Sequence, residues 1–288
     1  MGKPFRAAVI GAGMMANKVH YPSLALLEDV EISAICDLDE EKRNATADRY
    51  SVENRFADYR KMVEAVDPDG VYVIGPPHVM YDVMLWCLQE GLNLYVEKPL
   101  GITYHQAIML LHLAEENSSI TQVSFQRRGT PLFRDLREKC LEKGPIFHAV
   151  CQFYKLNRTP RIIAWDHITG DAVHAIDTLR WMCGGEVVDV HSVAKRQDAP
   201  SLNYYSAIIQ FDTGATGVIT HSWTSGRRTF RVEMHALGIC AEAEHEGDGH
   251  LYADGDTTGT PFTGAEASGS DEYVIRCGFH ARHREFVD

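Results

Sequence analysis

The stretch "NLYVEKPLG", Asn93 to Gly101, ends an apolar, strand-like run with Glu97, Lys98 and Pro99 side by side. An ordinary loop explains charges and a proline where a strand stops. A lysine at the mouth of a cofactor cleft explains them equally, because its ammonium can steady charge on an alcohol oxygen that is losing its proton. The other chemistry-bearing stretch is "AAVIGAGMMA", which puts Gly11, Gly13 and Ala16 straight after an apolar run and at the opening of a helical pattern. In G-x-G-x-x-A the first glycine permits the tight turn and the second lets backbone approach a pyrophosphate. The alanine is small enough for close helix–strand packing. The free amides at the helix start, around Met14 and Met15, and the positive end of its dipole then hold phosphate.

These residues need a frame. From residue 5 to about 125 the chain alternates short apolar runs with helical segments. The runs are "FRAAVIG", "VEISAICD", "GVYVIGPP", "LNLYVEKP" and "SITQVSF"; the helices are Asp39–Tyr50, Tyr59–Val66, Val79–Glu90 and Tyr104–Glu116. Runs apolar on both sides, separated by crossovers, predict a doubly wound parallel sheet, a Rossmann domain over 1–125. Ligands of such sheets bind outside the carboxyl ends of the strands, so Lys98 is expected near a nicotinamide ring. Pro99 stops the strand and keeps Lys98 extended. Asp37 closes the second strand, where a carboxylate accepts from both ribose hydroxyls and repels a 2′-phosphate, favouring NAD. Asp39 is the alternative acid, and Lys42 or Arg43 nearby weaken the discrimination, which leaves NADP open.

The remainder, 126–288, reads as an α+β domain on an open, mostly antiparallel sheet. Alternating patterns follow one another: "IFHAVCQFYK", "VVDVHSVAKR", "YYSAIIQFD", "ATGVITHSW" and "TFRVEMHALG". One helical pattern interrupts them, "GDAVHAIDTLRWMCGG". Gly247–Gly269, rich in Gly, Thr, Ser and Asp, is expected to be an exposed excursion. "GFHARHREFVD" opens a helix just as the chain stops, as in a truncated polypeptide.

The composition narrows the partners. A net charge of −12, with scattered Lys and Arg, argues against nucleic acid and anionic membranes. No apolar run approaches the ~20 residues that cross a bilayer. The start runs straight into a strand without a signal-peptide core. Seven cysteines without CxxC spacing read as reduced thiols in a cytoplasmic protein, and their spacing with histidine carries no zinc signature, so no metal is expected.

The glycine turn, "GPPHVMYDVMLWCLQEGLNLYVEKPL" and the later "HAIDTLRW" resemble the glucose–fructose oxidoreductase, inositol dehydrogenase and rhizopine-catabolism (Gfo/Idh/MocA) family. The resemblance covers the Rossmann half and reaches at least residue 225. It implies an NAD(P)-binding domain, a second domain whose open sheet covers the substrate, and oxidation or reduction of a secondary alcohol on a sugar, a cyclitol or a derivative. It also implies a homodimer or homotetramer assembled through that sheet. Carried over by position, Lys98 matches the lysine that contacts cofactor and substrate, with Glu97 beside it in support. Pro77 and His78 match the turn along the nicotinamide, and Arg127 an arginine pointing into the same cleft. His174 matches the catalytic histidine and Asp177 the carboxylate one turn later. The family's acid, four residues before that histidine, is Gly170 here. Asp171, three before, either replaces it or caps the helix. "AWDHITG" stands in place of the usual glycine-rich turn. Tyr81 stands where the family often has histidine or asparagine.

Oxidising a secondary alcohol requires hydride to leave a carbon while a base takes the hydroxyl proton. A histidine suits that exchange near neutrality, a lysine stabilises the alkoxide and an acid orients the imidazole. His174, Lys98 and Asp171 form such a set, with Asp177, Tyr154 and Trp165 as further candidates for the substrate pocket. The ordinary alternatives are a satisfied core histidine, surface ion pairs at Arg127 and Arg128, and aromatic core at Tyr154, Trp165 and Trp223. An NAD-dependent glycosidase of the same fold, which oxidises, eliminates and returns the hydride, is the second functional reading. A nonenzymatic NAD-sensing regulator is the third.

Overall fold

Parallel strands with helices between them build the first half of the molecule. A computed structural model describes residues 2–156 and 167–288. In the first sheet β1 (Phe5–Ile10), β2 (Val30–Cys36), β3 (Arg55–Phe56), β4 (Gly70–Val73), β5 (Leu94–Val96) and β6 (Thr121–Val123) take the order β3-β2-β1-β4-β5-β6. Every neighbouring pair is parallel. Strand order reverses between β1 and β4, which is where the crevice of a doubly wound sheet opens. The ladder is in step there: Ile10 pairs with Cys36 and Val73, Val73 with Val96, and Val96 with Val123. One row therefore holds the residues just past the strands, namely Gly11, Asp37, Ile74, Glu97 and Ser124.

Strands β1, β2, β4, β5 and β6 lie where the apolar runs predict them, and the helices Tyr59–Val66 and Tyr104–Glu116 match their sequence limits. β3 carries too little apolar sequence, at two residues, to be read in advance.

The second sheet consists of β7 (His148–Leu156), β8 (Val187–Lys195), β9 (Tyr204–Phe211), β10 (Thr216–Ser222), β11 (Thr224–Ala236), β12 (Ile239–Glu244), β13 (Gly249–Ala253) and β14 (Thr260–Phe262). Its order is β14-β13-β12-β11-β7-β10-β9-β8, and β7–β10 is its parallel pair. The core under it joins Leu132, Phe133 and Leu136 of the helix Pro131–Lys143, and Leu179 and Met182 of the helix Val173–Cys183, to Cys151, Phe153, Val232 and Met234. Gly247–Gly269 corrects the expectation of an exposed excursion, because β13 and β14 lie in it and extend the sheet. Its small and polar residues reflect tight turns between short edge strands.

The chain divides into two compact units, Met1–Ser124 with Phe279–Asp288, and Phe125–Gly278. The second unit thus ends at Gly278 rather than 288. The helix Phe279–Val287 belongs to the first unit because its inward face is aromatic. His283 stacks on Tyr95 with ring centroids 4.5 Å apart, and Phe286 meets Tyr72 edge-on at 5.4 Å.

Candidate active site

The two glycines of the turn after β1 are glycine for different reasons. Gly11 has φ +115°, and a β-carbon on it would lie 1.9 Å from the carbonyl oxygen of Ile74. Its backbone is held by bonds from its N–H to the Cys36 carbonyl (2.8 Å) and from the Tyr21 hydroxyl to its own carbonyl (3.1 Å). Gly11 is therefore required by the fold. A β-carbon on Gly13 meets nothing within 4 Å. No neighbour among the described residues demands glycine there, and the room it leaves suits a pyrophosphate against backbone. Met14 and Met15 follow as exposed helical residues, while Ala16 is buried. Asn17 fastens the turn by donating to the Ala12 carbonyl and to Thr46 Oγ1, both at 2.9 Å.

Asp37 is tied to the same turn. Its carboxylate accepts from the Ala12 N–H (2.7 Å) and the Asp39 N–H (2.9 Å). A carboxylate has about four acceptor positions, so lone pairs remain for ribose hydroxyls. Lys42 pairs with Asp39 at 2.5 Å, and Arg43 donates to the Asp37 carbonyl at 2.8 Å. Both cations thus have acidic or carbonyl partners of their own. The turn and Asp37 fit a dinucleotide.

Further along the row Pro77, buried, and His78, exposed, open the helix Pro77–Gln89. At β5 the chain enters Glu97, Lys98 and Pro99 through a cis peptide before Pro99. Glu97 is the interior post of this loop. Its Oε2 accepts from the Lys98 N–H (3.1 Å), and its Oε1 accepts from His20 Nε2 (2.9 Å). Ser124 donates to it as well and itself accepts from the Tyr95 hydroxyl at 3.1 Å. His20 Nδ1 lies 3.1 Å from His283 Nε2. Among the described residues His283 Nδ1 has no hydrogen-bond partner. Burial raises the Glu97 carboxyl, but the hydrogen bond and charge of His20, with Lys98 and Ser124, bring it below the ordinary value. Burial, with His20 beside it, keeps His283 well below the usual imidazole range. Sequence reading missed His20 and His283, because 77 and 263 residues separate the bonded pairs.

In the second unit His174 lies buried in the first turn of the helix Val173–Cys183, its ring edge-on to Phe125 at 6.4 Å. Asp177, one turn on, forms a two-pronged ion pair with Arg128, with the Nε contact at 2.7 Å. Such a fork anchors the helix. Asp171 occupies a π-helical turn, Ile168–Ala172, and forms an ion pair with Lys155. The helix cap is Ala172, without a side-chain bond, so Asp171 is not the N-cap. A π turn also changes the angular offset between residues, so an α-helical shared face for Asp171 and His174 does not carry over.

Arg127 is 4% exposed, its guanidinium 4.0 Å over Phe230 and 5.0 Å over Phe153. Burial, opposed by Asp171, lowers its pKa to about 10. This residue, expected at the cofactor, has its guanidinium stacked on those two rings of the second unit. Tyr154, expected in the substrate pocket, faces the opposite side of β7 from Phe153 and Lys155 by strand alternation. That same alternation in "CQFYK" was the signal that could have picked out Lys155. Trp165 lies outside the described residues. Among the described residues no cluster of His, Cys, Asp or Glu has metal-binding geometry, and no helix is long and apolar enough to cross a membrane.

A nucleotide-type strand-end row in one unit and a histidine helix under an open sheet in the other are the marks of one oxidoreductase class. The chain belongs to the GFO/IDH/MocA family. Residues 5–125 match its oxidoreductase domain with the NAD-binding Rossmann fold, and 147–238 its C-terminal domain. D-glucoside 3-dehydrogenase of Escherichia coli is 32% identical over 136 residues, a match that covers 47% of this chain and 39% of that protein. The chain thus spans well under half of that relative's length in the match. Myo-inositol 2-dehydrogenase of Thermotoga maritima is 24% identical over 75% of this chain and 68% of its own. Among solved structures, a dehydrogenase from Chromobacterium violaceum has a TM-score of 0.90 at 21% identity, covering 99% of this chain and 87% of that one. GenD2 from gentamicin A biosynthesis, in complex with NAD, has a TM-score of 0.81 at 20% identity, covering 100% and 86%.

The two glycines predict separable defects. Gly11→Ala is expected to lose about 1–3 kcal/mol of stability from overpacking. Gly13→Ala is expected to keep its melting temperature and bind NAD about tenfold or more weakly, a change of 1.4 kcal/mol per decade. Thermal unfolding and NAD titration check both, and equal NAD affinity in Gly13→Ala and the parent contradicts the assignment.

Proposed function

We propose that this protein transfers a hydride between the nicotinamide of NAD and a CH–OH carbon of a sugar, a cyclitol or a derivative. The observation that carries the reading is Lys98, half-buried just past β5 on a loop fixed by Glu97, in the same strand-end row as the glycine turn. The names of the relatives, a glucoside 3-dehydrogenase and a myo-inositol 2-dehydrogenase, support the substrate class.

NAD, when bound, supplies the hydride acceptor. Gly13 and the helix start beyond it hold the pyrophosphate, Asp37 the ribose, and Pro77 and His78 border the nicotinamide. In oxidation His174 takes the hydroxyl proton as the hydride leaves the same carbon, the exchange for which an imidazole is suited. The Lys98 ammonium donates to that oxygen and stabilises the developing alkoxide. In reduction His174 returns the proton. Asp177, held by Arg128, keeps the histidine helix in place.

A second part of the proposal concerns assembly. We infer a homodimer or homotetramer formed through the second sheet. Val193 of β8 and Ile208 of β9 are exposed on the same face of the sheet, apolar side chains of the kind that mark a protein interface. Seven unpaired cysteines, six of them buried, support a reducing, cytoplasmic setting.

Incubation of the purified protein with NAD and a panel of sugars, cyclitols and glycosides tests the reaction. NADH is expected from at least one sugar or cyclitol. Lys98→Ala should slow turnover on the order of 10²-fold or more, as loss of an oxyanion donor does. Released sugar without NADH would instead mark the oxidation–elimination route, and Lys98→Ala with full activity overturns the role given to the lysine. For the assembly, sedimentation at micromolar concentration should give a dimer or tetramer that Ile208→Lys dissociates; a monomeric parent contradicts it.

A further inference from the structure

The second unit contains a buried polar cluster that the proposed reaction does not use. His221 of β10 pairs in register with Phe153 of β7, and alternation puts Lys155 and Trp223 on the same side of the sheet. The His221 ring is 0% exposed, edge-on to Phe153 at 5.2 Å and 6.2 Å from Trp223. Among the described residues neither its Nδ1 nor its Nε2 has a hydrogen-bond partner, and Trp223 Nε1 has none. Buried polar atoms are nearly always paired, so three unpaired ones on neighbouring residues call for a partner beyond the described residues. Beside them Lys155 Nζ lies 4.2 Å over the Trp223 ring while it pairs with Asp171.

The chemistry of the cluster selects its ligand. Burial pushes the His221 imidazole down to about 4, against the opposing pull of Asp171. At neutral pH one ring nitrogen therefore donates and the other accepts. A hydroxyl matches both, whereas a carboxylate or phosphate only accepts and an ammonium only donates. Lys155 and Asp171 neutralise each other and present a donor head next to acceptor oxygens. The Trp223 ring is packed by His167, with centroids 3.8 Å apart, and its N–H adds one more donor.

We propose that His221, Lys155, Asp171 and Trp223 form a hydroxyl-reading subsite for an uncharged polyol ring, with His221 as a specificity-determining residue. The inference deepens, and rests on, the sugar or cyclitol reading above. It also gives Asp171 a role as partner of Lys155 in holding substrate rather than as the acid that orients His174.

The test uses the full chain with NADH bound and three probes: myo-inositol, methyl α-glucoside and glucuronate. Calorimetry gives affinity, and the NMR signal of the His221 ring reports contact. At least one neutral probe is expected to bind, to shift the His221 signal, and to bind tenfold or more weakly to His221→Phe. His221→Asn and His221→Gln, which keep one donor and one acceptor, should recover part of that loss even if His221→Phe folds poorly. NADH affinity should be the same in all variants. In turnover of an accepted substrate, KM should rise more than kcat falls. The subsite is refuted if all four proteins bind the neutral probes alike, if glucuronate binds better than both neutral probes, or if no probe binds. Binding that depends on His221, with no NADH formed when NAD replaces NADH, supports the subsite and removes the dehydrogenase reading. NADH formation with undiminished affinity in His221→Phe does the reverse.

Discussion

A carboxylate inside the protein must have partners, and the partners of Glu97 organise the first unit. Its two oxygens receive His20, the Lys98 amide and Ser124, and His20 in turn meets His283. That set joins the helix after the glycine turn, the loop after β5, the end of β6 and the terminal helix. Leaving a buried polar group without its partner costs about 1–3 kcal/mol, and more when the group is charged. The loop that carries Lys98 therefore has little freedom to drift. Linkage follows from the same groups. Glu97 titrates below its unfolded value, so its stabilisation is present above the ordinary carboxylate range and is lost as pH falls through the folded pKa. His283 is held neutral, so its contribution weakens as pH falls below about 6.5, where the unfolded chain takes up the proton more readily.

The glycine turn obeys a comparable division between what the fold needs and what a ligand needs. Gly11 is crowded by Ile74 and Gly13 by nothing. Asp37 joins the two concerns, since it closes the turn through Ala12 and keeps acceptor capacity beyond it. In the second unit the charges are likewise committed: Arg128 to Asp177, Lys155 to Asp171, and Arg127 to the faces of Phe230 and Phe153.

Much of this was legible in the chain. Apolar runs spaced by helical segments give the parallel sheet, and the position of "GAGMMA" and "VEKP" at strand ends is enough to mark both as site elements. Legibility failed where the cause is tertiary. The two-residue β3 is a strand only because β2 offers it an edge. Gly247–Gly269 reads as loop because short edge strands are mostly turn. The helix Phe279–Val287 looks detached until Tyr72 and Tyr95 supply its aromatic partners. Asp171 was assessed by α-helical geometry, and the π turn defeats that geometry. Arg127 and Arg128 are neighbours with opposite fates, one stacked in the interior and one paired with Asp177. Side-chain type alone cannot distinguish them.

Glu97→Gln tests whether the Glu97 carboxylate holds the lysine loop in working order. This variant keeps the shape but removes the charge and turns one acceptor oxygen into a donor NH2 that faces donors. The account predicts NAD binding near that of the parent, a loss of about 1.5–3 kcal/mol in stability from weakened charge-assisted bonds, and turnover reduced by at least tenfold. Unchanged stability together with unchanged turnover of the same substrate would contradict it.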